Sequence, residues 1–142
     1  MLIGIPSILS PELLKILMEM GHGDEIVIGD GNFPAASCAK RLIRCDGHGV
    51  PPLLDSILGL LPLDSYVRHP AALMAVADGD SAPTPVIWKE YEDILNKHGY
   101  SADSIESIER FAFYERAKAA YAIIATGESA IYANIILKKG VV

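Results

Sequence analysis

The chain has 142 residues, of which 51% are apolar and 21% charged, and its formal net charge is −6. This length fits one domain, and the composition is far from that of disordered chains. The acidic balance argues against a nucleic-acid partner, because phosphate binding depends on clustered lysine and arginine.

The N-terminal segment, residues 1–9, is apolar but has no basic start, and Glu12, Lys15 and Glu19 interrupt any longer apolar run. This pattern predicts neither a signal peptide nor a membrane span. The two cysteines, Cys38 and Cys45, form neither a C-x-x-C pair nor the framework of a small secreted domain. We therefore expect a cytoplasmic protein with reduced thiols.

The first predicted helix begins at Ser10-Pro11-Glu12, which supplies a capping residue, a proline in the first turn and an acidic residue. Apolar residues then recur at helical spacing as far as Met20. Gly21 is predicted to end this helix in the left-handed conformation, just before His22.

The next run, residues 25–29 (EIVIG), is β-branched and bounded by glycine and aspartate, which predicts a buried strand with Asp30 at its carboxyl end. A second strand is predicted at residues 41–45. A helix from about Pro52 follows it, and Pro62 ends that helix.

Residues 71–77 predict a central strand, and Pro85 opens a helix that carries Trp88, Tyr91 and Leu95 and ends at Gly99. The final third predicts a helix around residues 113–120, a strand at 121–126, a turn at 127–128 and a closing strand at 132–137. Because strands alternate with helices, the sequence predicts a single three-layer α/β domain.

Several common sites are absent from the sequence. No phosphate-binding loop is present, and Gly21-x-Gly23 follows a helix and precedes a strand, the reverse of a dinucleotide fingerprint. The segment that follows Gly127 lacks the second glycine of a nucleophile elbow. Nucleotide binding and serine hydrolysis therefore have little support.

The most suggestive group of residues places His22 and Asp30 at opposite ends of one short strand. Histidine can donate or accept a proton near neutral pH, and the glycines beside it allow a ligand to approach closely. His22 could instead simply cap the preceding helix. A metal site built from His22, Asp24 and Asp30 is a weaker alternative, since no paired-histidine spacing supports it.

Two further segments could contribute to a ligand site. Residues 110–116 (RFAFYER) hold two guanidinium groups and three aromatic rings, which could bind sugar hydroxyls and pack against a sugar ring. The alternative is a helix with Phe111 and Phe113 in the core and Arg116 in solvent. Tyr132 and Asn134 are predicted on one face of the closing strand.

Three segments together resemble the FucU/RbsD family. They are PELLKILMEMGHGDEIVIGDGNFP, RFAFYERAKAAYAIIATGE and the closing run Y-A-N-IILKKGV. The resemblance covers nearly the whole chain in order, and it is closer to the branch that acts on L-fucose than to the D-ribose pyranase branch. It implies interconversion of the α and β anomers of the free sugar by acid/base ring opening.

The resemblance also implies an RbsD-like α/β fold assembled as a ring-based homodecamer, with the monosaccharide between neighbouring subunits and no metal or organic cofactor. Matched by position, His22 is the proton donor. The residues implied in substrate binding are Asp30, Arg110, Tyr114, Tyr132 and Asn134. Association of copies also agrees with the positive mean hydropathy of +0.29 for so short a chain.

The chain departs from the family pattern in three places. Ala133 replaces an expected glycine, Gly31-Asn32 follows Asp30 in place of Ala-His, and Arg68-His69 resembles a local insertion. These departures bear on which sugar is bound more than on which reaction is catalysed. Three alternatives therefore stay open: conversion of ribose between pyranose and furanose forms, a non-catalytic sugar-binding accessory, and a metal-dependent enzyme.

Overall fold

The computed structural model describes residues 1–142. Its helices and strands follow in the order α1 (Pro11–Glu19), β1 (Glu25–Gly29), α2 (Ala35–Cys38), β2 (Leu42–Cys45), α3 (Val50–Leu58), β3 (Ala71–Met74), α4 (Val86–Lys97), β4 (Ile105–Ile108), α5 (Arg110–Ala119), β5 (Ala122–Thr126) and β6 (Ile135–Lys138). One 3₁₀ turn, Ala102–Ser104, precedes β4.

The six strands form one mixed sheet in the order β2-β5-β1-β6-β3-β4. Strand β6 is antiparallel to both of its neighbours, whereas the other neighbouring pairs are parallel. The amino end of β6 therefore lies at the same edge of the sheet as the carboxyl ends of the other five strands. Ligands of α/β folds bind at this edge.

Side chains alternate across the sheet and build a separate core on each face. Ile26 and Ile28 pack with α1, α3 and α4 on one face. Val27, Ile123 and Ile136 pack with Phe113 and Ala117 of α5 on the other. Helices cover both faces, so the predicted three-layer α/β architecture is confirmed.

The beginning of α1 is confirmed, whereas the prediction for its end is wrong. Ser10 Oγ accepts a hydrogen bond from the Leu13 N–H at 3.1 Å, as a capping residue should. Gly21 does not take the left-handed conformation. Gly23 does, with φ of 85°, and the Gly21 N–H instead donates to Asp24 Oδ2 at 2.7 Å.

Other boundaries differ from the sequence prediction. Helix α3 begins at Val50 rather than near Pro52, and a distant carboxylate, that of Glu128, accepts the Val50 N–H at 3.1 Å. Strand β3 ends at Met74 rather than at residue 77, but it is buried and paired on both sides, as predicted for a central strand. Strand β4 pairs with β3 and was not predicted.

Both cysteines are free thiols, Cys38 half-buried and Cys45 buried. None of the helices combines the length and apolar character that crossing a bilayer requires.

Candidate active site

A pocket of about 270 Å³ opens at the edge of the sheet where five strands end and β6 begins. Pockets for drug-sized ligands span about 300–1,000 Å³, so this one suits a smaller molecule. We call it the strand-end pocket. Its lining residues are Asp30, Asn32, Phe33, Met74, Asp80, Arg110, Tyr114, Ile131, Tyr132 and Asn134.

Asp30 follows β1 directly and is the most buried charged group of the strand-end pocket, with 5% of its surface exposed. One carboxylate oxygen accepts the Asn32 N–H at 3.0 Å, and the other accepts the Ala133 N–H at 3.3 Å. Burial nevertheless raises the pKa of the Asp30 carboxyl above its usual value, and these two N–H groups offset part of that rise. The carboxyl is thus fixed in orientation by two backbone N–H groups.

Asn134 and Tyr132 do not lie on a strand, as the sequence predicted, but in the turn before β6. Tyr132 has a φ of 54°, in the left-handed region, which an extended strand cannot include. Asn134 is buried, and its Oδ1 accepts the Asp30 N–H at 2.8 Å. Its amide nitrogen makes no hydrogen bond within the chain, so it is free to donate to a ligand.

Arg110 and Tyr114 both reach the strand-end pocket from the first turns of α5, a helix capped by the carboxylate of Glu109. The Arg110 guanidinium lies 5.0 Å from the ring centroid of Phe111 and 5.8 Å from that of Tyr114. It forms no ion pair within the chain, and the Tyr114 hydroxyl forms no hydrogen bond. Both polar groups are therefore available to a ligand.

Part of the lining of the strand-end pocket is apolar and consists of Phe33, Met74 and Ile131. The Phe33 ring packs against Tyr114 with the ring centroids 5.7 Å apart. Apolar side chains beside a few convergent polar groups are typical of small-molecule sites.

His22 lies outside the strand-end pocket, at the opposite edge of the sheet. It precedes β1, whereas Asp30 follows β1, and a five-residue strand spans about 17 Å. The prediction that these residues flank one strand is confirmed. The same geometry keeps the imidazole of His22 away from the pocket of its own chain.

The surroundings of His22 differ from the helix-capping alternative. Its side chain is 44% exposed, and its Nε2 lies 3.2 Å from Oδ1 of Asp64, a buried carboxylate. The Asp64 pKa is held below its usual value, first by a hydrogen bond from the Tyr66 N–H and then by His22 itself. Since a carboxylate only accepts, Nε2 donates to Asp64, and Nδ1 makes no hydrogen bond within the chain.

The positions of His22, Asp24 and Asp30 contradict the metal-site alternative. His22 and Asp30 lie at opposite ends of β1, so the three groups proposed for it do not converge. No set of three or more histidine, cysteine or acidic side chains in the chain is arranged around one point as metal ligands would be.

Arg116 is not the solvent-facing residue of the helical alternative. Its guanidinium is half-buried and binds Glu25 at 2.9 Å and Glu106 at 2.7 Å, which fastens α5 to β1 and β4. Phe113 is fully buried as that alternative required, whereas Phe111 is 64% exposed.

Sequence reasoning missed two acidic residues that the structure places beside the candidate site residues, Asp64 next to His22 and Asp80 in the strand-end pocket. Asp80 belongs to a D-G-D turn after a predicted strand, which was a usable signal. Asp64 follows Pro62 in a loop distant in sequence from His22, and no local pattern joins the two residues.

Comparisons with known proteins agree with the observed fold. The profile of the RbsD / FucU transport protein family matches residues 3–142. Human fucose mutarotase is 55% identical over 97% of this chain and 92% of the human protein.

Two solved structures extend these comparisons. The fucose mutarotase of Streptococcus pneumoniae in complex with L-fucose is 58% identical and superposes with a TM-score of 0.95 over 99% of both chains. Bacillus subtilis RbsD in complex with D-ribose is 24% identical, with a TM-score of 0.74 over 94% of this chain and 95% of that one. At that identity, the second comparison supports the fold alone.

Proposed function

The chain belongs to the RbsD / FucU transport protein family, and we propose from this premise that it is an isomerase that interconverts the α and β anomers of free L-fucose. The observation that carries the proposal is the strand-end pocket. A fixed carboxyl, a free guanidinium and a free amide line it together with apolar side chains, within about 270 Å³. Identities of 55–58% to proteins named fucose mutarotase support the same sugar.

The reaction needs only acid/base groups. A proton is delivered to the ring oxygen of the hemiacetal while one leaves the C1 hydroxyl, and the ring opens to an aldehyde. The aldehyde rotates, and the ring closes on its other face by the reverse transfers. Each positioned proton transfer contributes about 10²- to 10⁴-fold to the rate.

The pocket residues divide between hydroxyl binding and apolar contact. The carboxylate of Asp30 accepts hydrogen bonds from sugar hydroxyls, and Arg110 and the amide of Asn134 donate to them. L-Fucose carries a methyl group at C6 where most hexoses carry a hydroxymethyl group. Phe33, Met74 and Ile131 offer that methyl group an apolar surface.

We propose Tyr114 for the proton transfer at the C1 hydroxyl. Its hydroxyl is free within the chain and belongs to the strand-end pocket, whereas the carboxylate of Asp30, held in place by two backbone N–H groups, serves to bind sugar hydroxyls. The guanidinium of Arg110, 5.8 Å from the ring centroid of Tyr114, stabilises negative charge that develops beside it.

We propose that His22 of a neighbouring copy supplies the proton at the ring oxygen. The imidazole is exposed and oriented by Asp64, but it lies about one strand length from the pocket of its own chain. Only association of copies brings the two together. The ring-based decamer implied by the family resemblance would provide such a contact, with each pocket completed by its neighbour.

The direct test is saturation-transfer NMR on L-fucose with micromolar protein. We expect faster exchange between the α and β signals, and an unchanged exchange rate would refute the proposal. L-Galactose, which differs from L-fucose only by a hydroxyl at C6, should exchange more slowly because that hydroxyl would lose its hydration beside the apolar lining residues. D-Ribose tests the pyranase alternative through exchange between ring-size signals, and activity that EDTA abolishes would favour the metal-dependent one.

A subunit-mixing experiment tests the shared site. His22→Ala and Asp30→Asn chains are each expected to lose most activity, but co-assembled in equal amounts they should recover about a quarter of the wild-type rate, because half of the pockets are intact and half of their neighbours carry histidine. Each variant alone, taken through the same co-assembly procedure, is the control. A mixture no more active than its components would place both residues in one site of one chain.

A further inference from the structure

The segment that connects β3 to α4 begins at Ala75, whose N–H donates to the Ile108 carbonyl of β4 at 2.8 Å. Beyond Ala75, the loop of residues 76–84 forms hydrogen bonds to the rest of the protein through a single atom. Within the loop, the Asp80 N–H donates to the Ala77 carbonyl at 3.0 Å and the Ala82 N–H to Asp80 Oδ1 at 2.9 Å. The only hydrogen bonds that leave the loop meet at the hydroxyl of Tyr132.

The Tyr132 hydroxyl makes both of these contacts. It donates to Asp80 Oδ2 at 2.5 Å and accepts the Ala77 N–H at 3.3 Å. The pKa of Asp80 is lowered and that of Tyr132 raised, each first by their mutual hydrogen bond, which agrees with a neutral phenol donating to a charged carboxylate. Both residues line the strand-end pocket, so this contact forms part of its wall.

The backbone of Tyr132 is held separately from its hydroxyl. Its carbonyl accepts the indole N–H of Trp88 at 2.8 Å, and the neighbouring Ala133 carbonyl accepts the Tyr91 hydroxyl at 2.7 Å. These two bonds come from α4 and maintain the left-handed φ of 54° at Tyr132. The turn before β6 is therefore anchored, and the 76–84 loop is the part that depends on the phenol.

We propose that Asp80 is a positioning residue for the sugar reaction, which latches the 76–84 loop onto Tyr132 and thereby closes one wall of the strand-end pocket. The inference rests on the proposed function for its catalytic consequence. With the latch made, the phenol of Tyr132 is fixed and the loop lies against the pocket. With the latch broken, no other hydrogen bond retains the loop, and the pocket loses its shape on that side.

A direct contact between Asp80 and a sugar hydroxyl is the competing explanation, and a double-mutant cycle separates the two. Asp80→Ala and Tyr132→Phe should each lower kcat/KM for L-fucose exchange by about three- to tenfold, as expected for loss of a hydrogen bond to a charged group that is partly open to water. If Asp80 acts through the phenol, the double variant should be no slower than either single variant. Losses that multiply would overturn the latch.

A conservative replacement of Asp80 gives a second test of its positioning role. Asp80→Asn retains an oxygen that can accept the phenolic hydrogen and preserves the shape of the side chain. It should stay within about twofold of the wild-type kcat/KM, because a neutral acceptor keeps most of the positional restraint. A loss as large as that of Asp80→Ala would mean that the negative charge itself is needed, which contradicts a purely positioning role.

Amide hydrogen exchange tests the latch without relying on catalysis. The Ala77 N–H should exchange faster in Asp80→Ala and in Tyr132→Phe, and no faster still in the double variant, because both changes release the same loop. Unchanged protection of Ala77 in Asp80→Ala would overturn the latch. If wild-type protein leaves L-fucose exchange unaltered but these protections change as described, the proposed function fails while the latch is supported.

Discussion

Replacing His22 by alanine is expected to lower the catalysed exchange of L-fucose anomers by about 10²- to 10⁴-fold, the usual contribution of a positioned proton donor. The imidazole is the one group of the proposed site that is both exposed and held by a buried carboxylate, that of Asp64 at 3.2 Å. Saturation-transfer NMR at saturating sugar measures the effect as a fall in kcat. KM should change little, because the hydroxyl-binding groups lie in the neighbouring pocket.

Two further variants sharpen this prediction. His48→Ala removes an exposed histidine whose side chain makes no hydrogen bond, and it should leave the rate unchanged. Asp64→Asn keeps an oxygen for His22 Nε2 but removes the charge, so its loss should be smaller than that of His22→Ala. If His22→Ala exchanges fucose within twofold of wild type, His22 is not the proton donor.

The second large effect is expected at Asp30. Asp30→Asn should weaken L-fucose binding by about ten- to a hundredfold, since hydrogen bonds to a charged group contribute about 1.5–3 kcal/mol. The new amide N–H₂ would also face one of the two backbone N–H groups that the carboxylate now accepts. Titration calorimetry of sugar binding measures the loss. Asp103→Asn, which changes an exposed aspartate away from the pocket, is the matched control.

The pH dependence follows from the same carboxyl. Burial raises the pKa of Asp30, so it loses its charge at a higher pH than an ordinary aspartate when the solution is acidified. The charged form accepts the sugar hydroxyls, and binding should therefore weaken as pH falls through that raised pKa. Asp30→Asn should lack this acid limb. A wild-type and a variant profile of the same shape would contradict a carboxylate role.

The sequence predicted the elements whose signals are local. Ser10 and Pro11 fix the start of α1, and after Glu25 the run 26–29 is apolar on both faces, as a strand covered by helices on both sides must be. The start of α3 was misplaced because the carboxylate that caps it belongs to Glu128, 78 residues away in the chain. The short strand β4 was missed because none of its four residues is fully buried, so it lacks the apolar run of a core strand.

The strand-end pocket likewise combines features that the sequence predicts with features that depend on long-range contacts. The resemblance selected Asp30, Arg110, Tyr114, Tyr132 and Asn134, and the structure brings all five into one pocket, although their roles remain proposals. The predicted closing strand begins at residue 132, three residues before the observed β6, because the sequence of residues 132–134 is typical of an extended strand. A left-handed tyrosine is stabilised there by Trp88 and Asp80, whose contacts no sequence pattern reveals.

The sequence by itself determined the α/β class, most helices and strands, the family and the residue types of the site, because hydrophobic periodicity, capping and motif residues act over a few positions. Only the tertiary structure decided that β6 runs against its neighbours, that Asp64 holds His22, and that His22 lies a strand length from the pocket. These facts depend on which distant segments pack together, and that choice is made by the whole core at once. The separation of His22 from Asp30 is also what makes a neighbouring copy necessary for the proposed reaction.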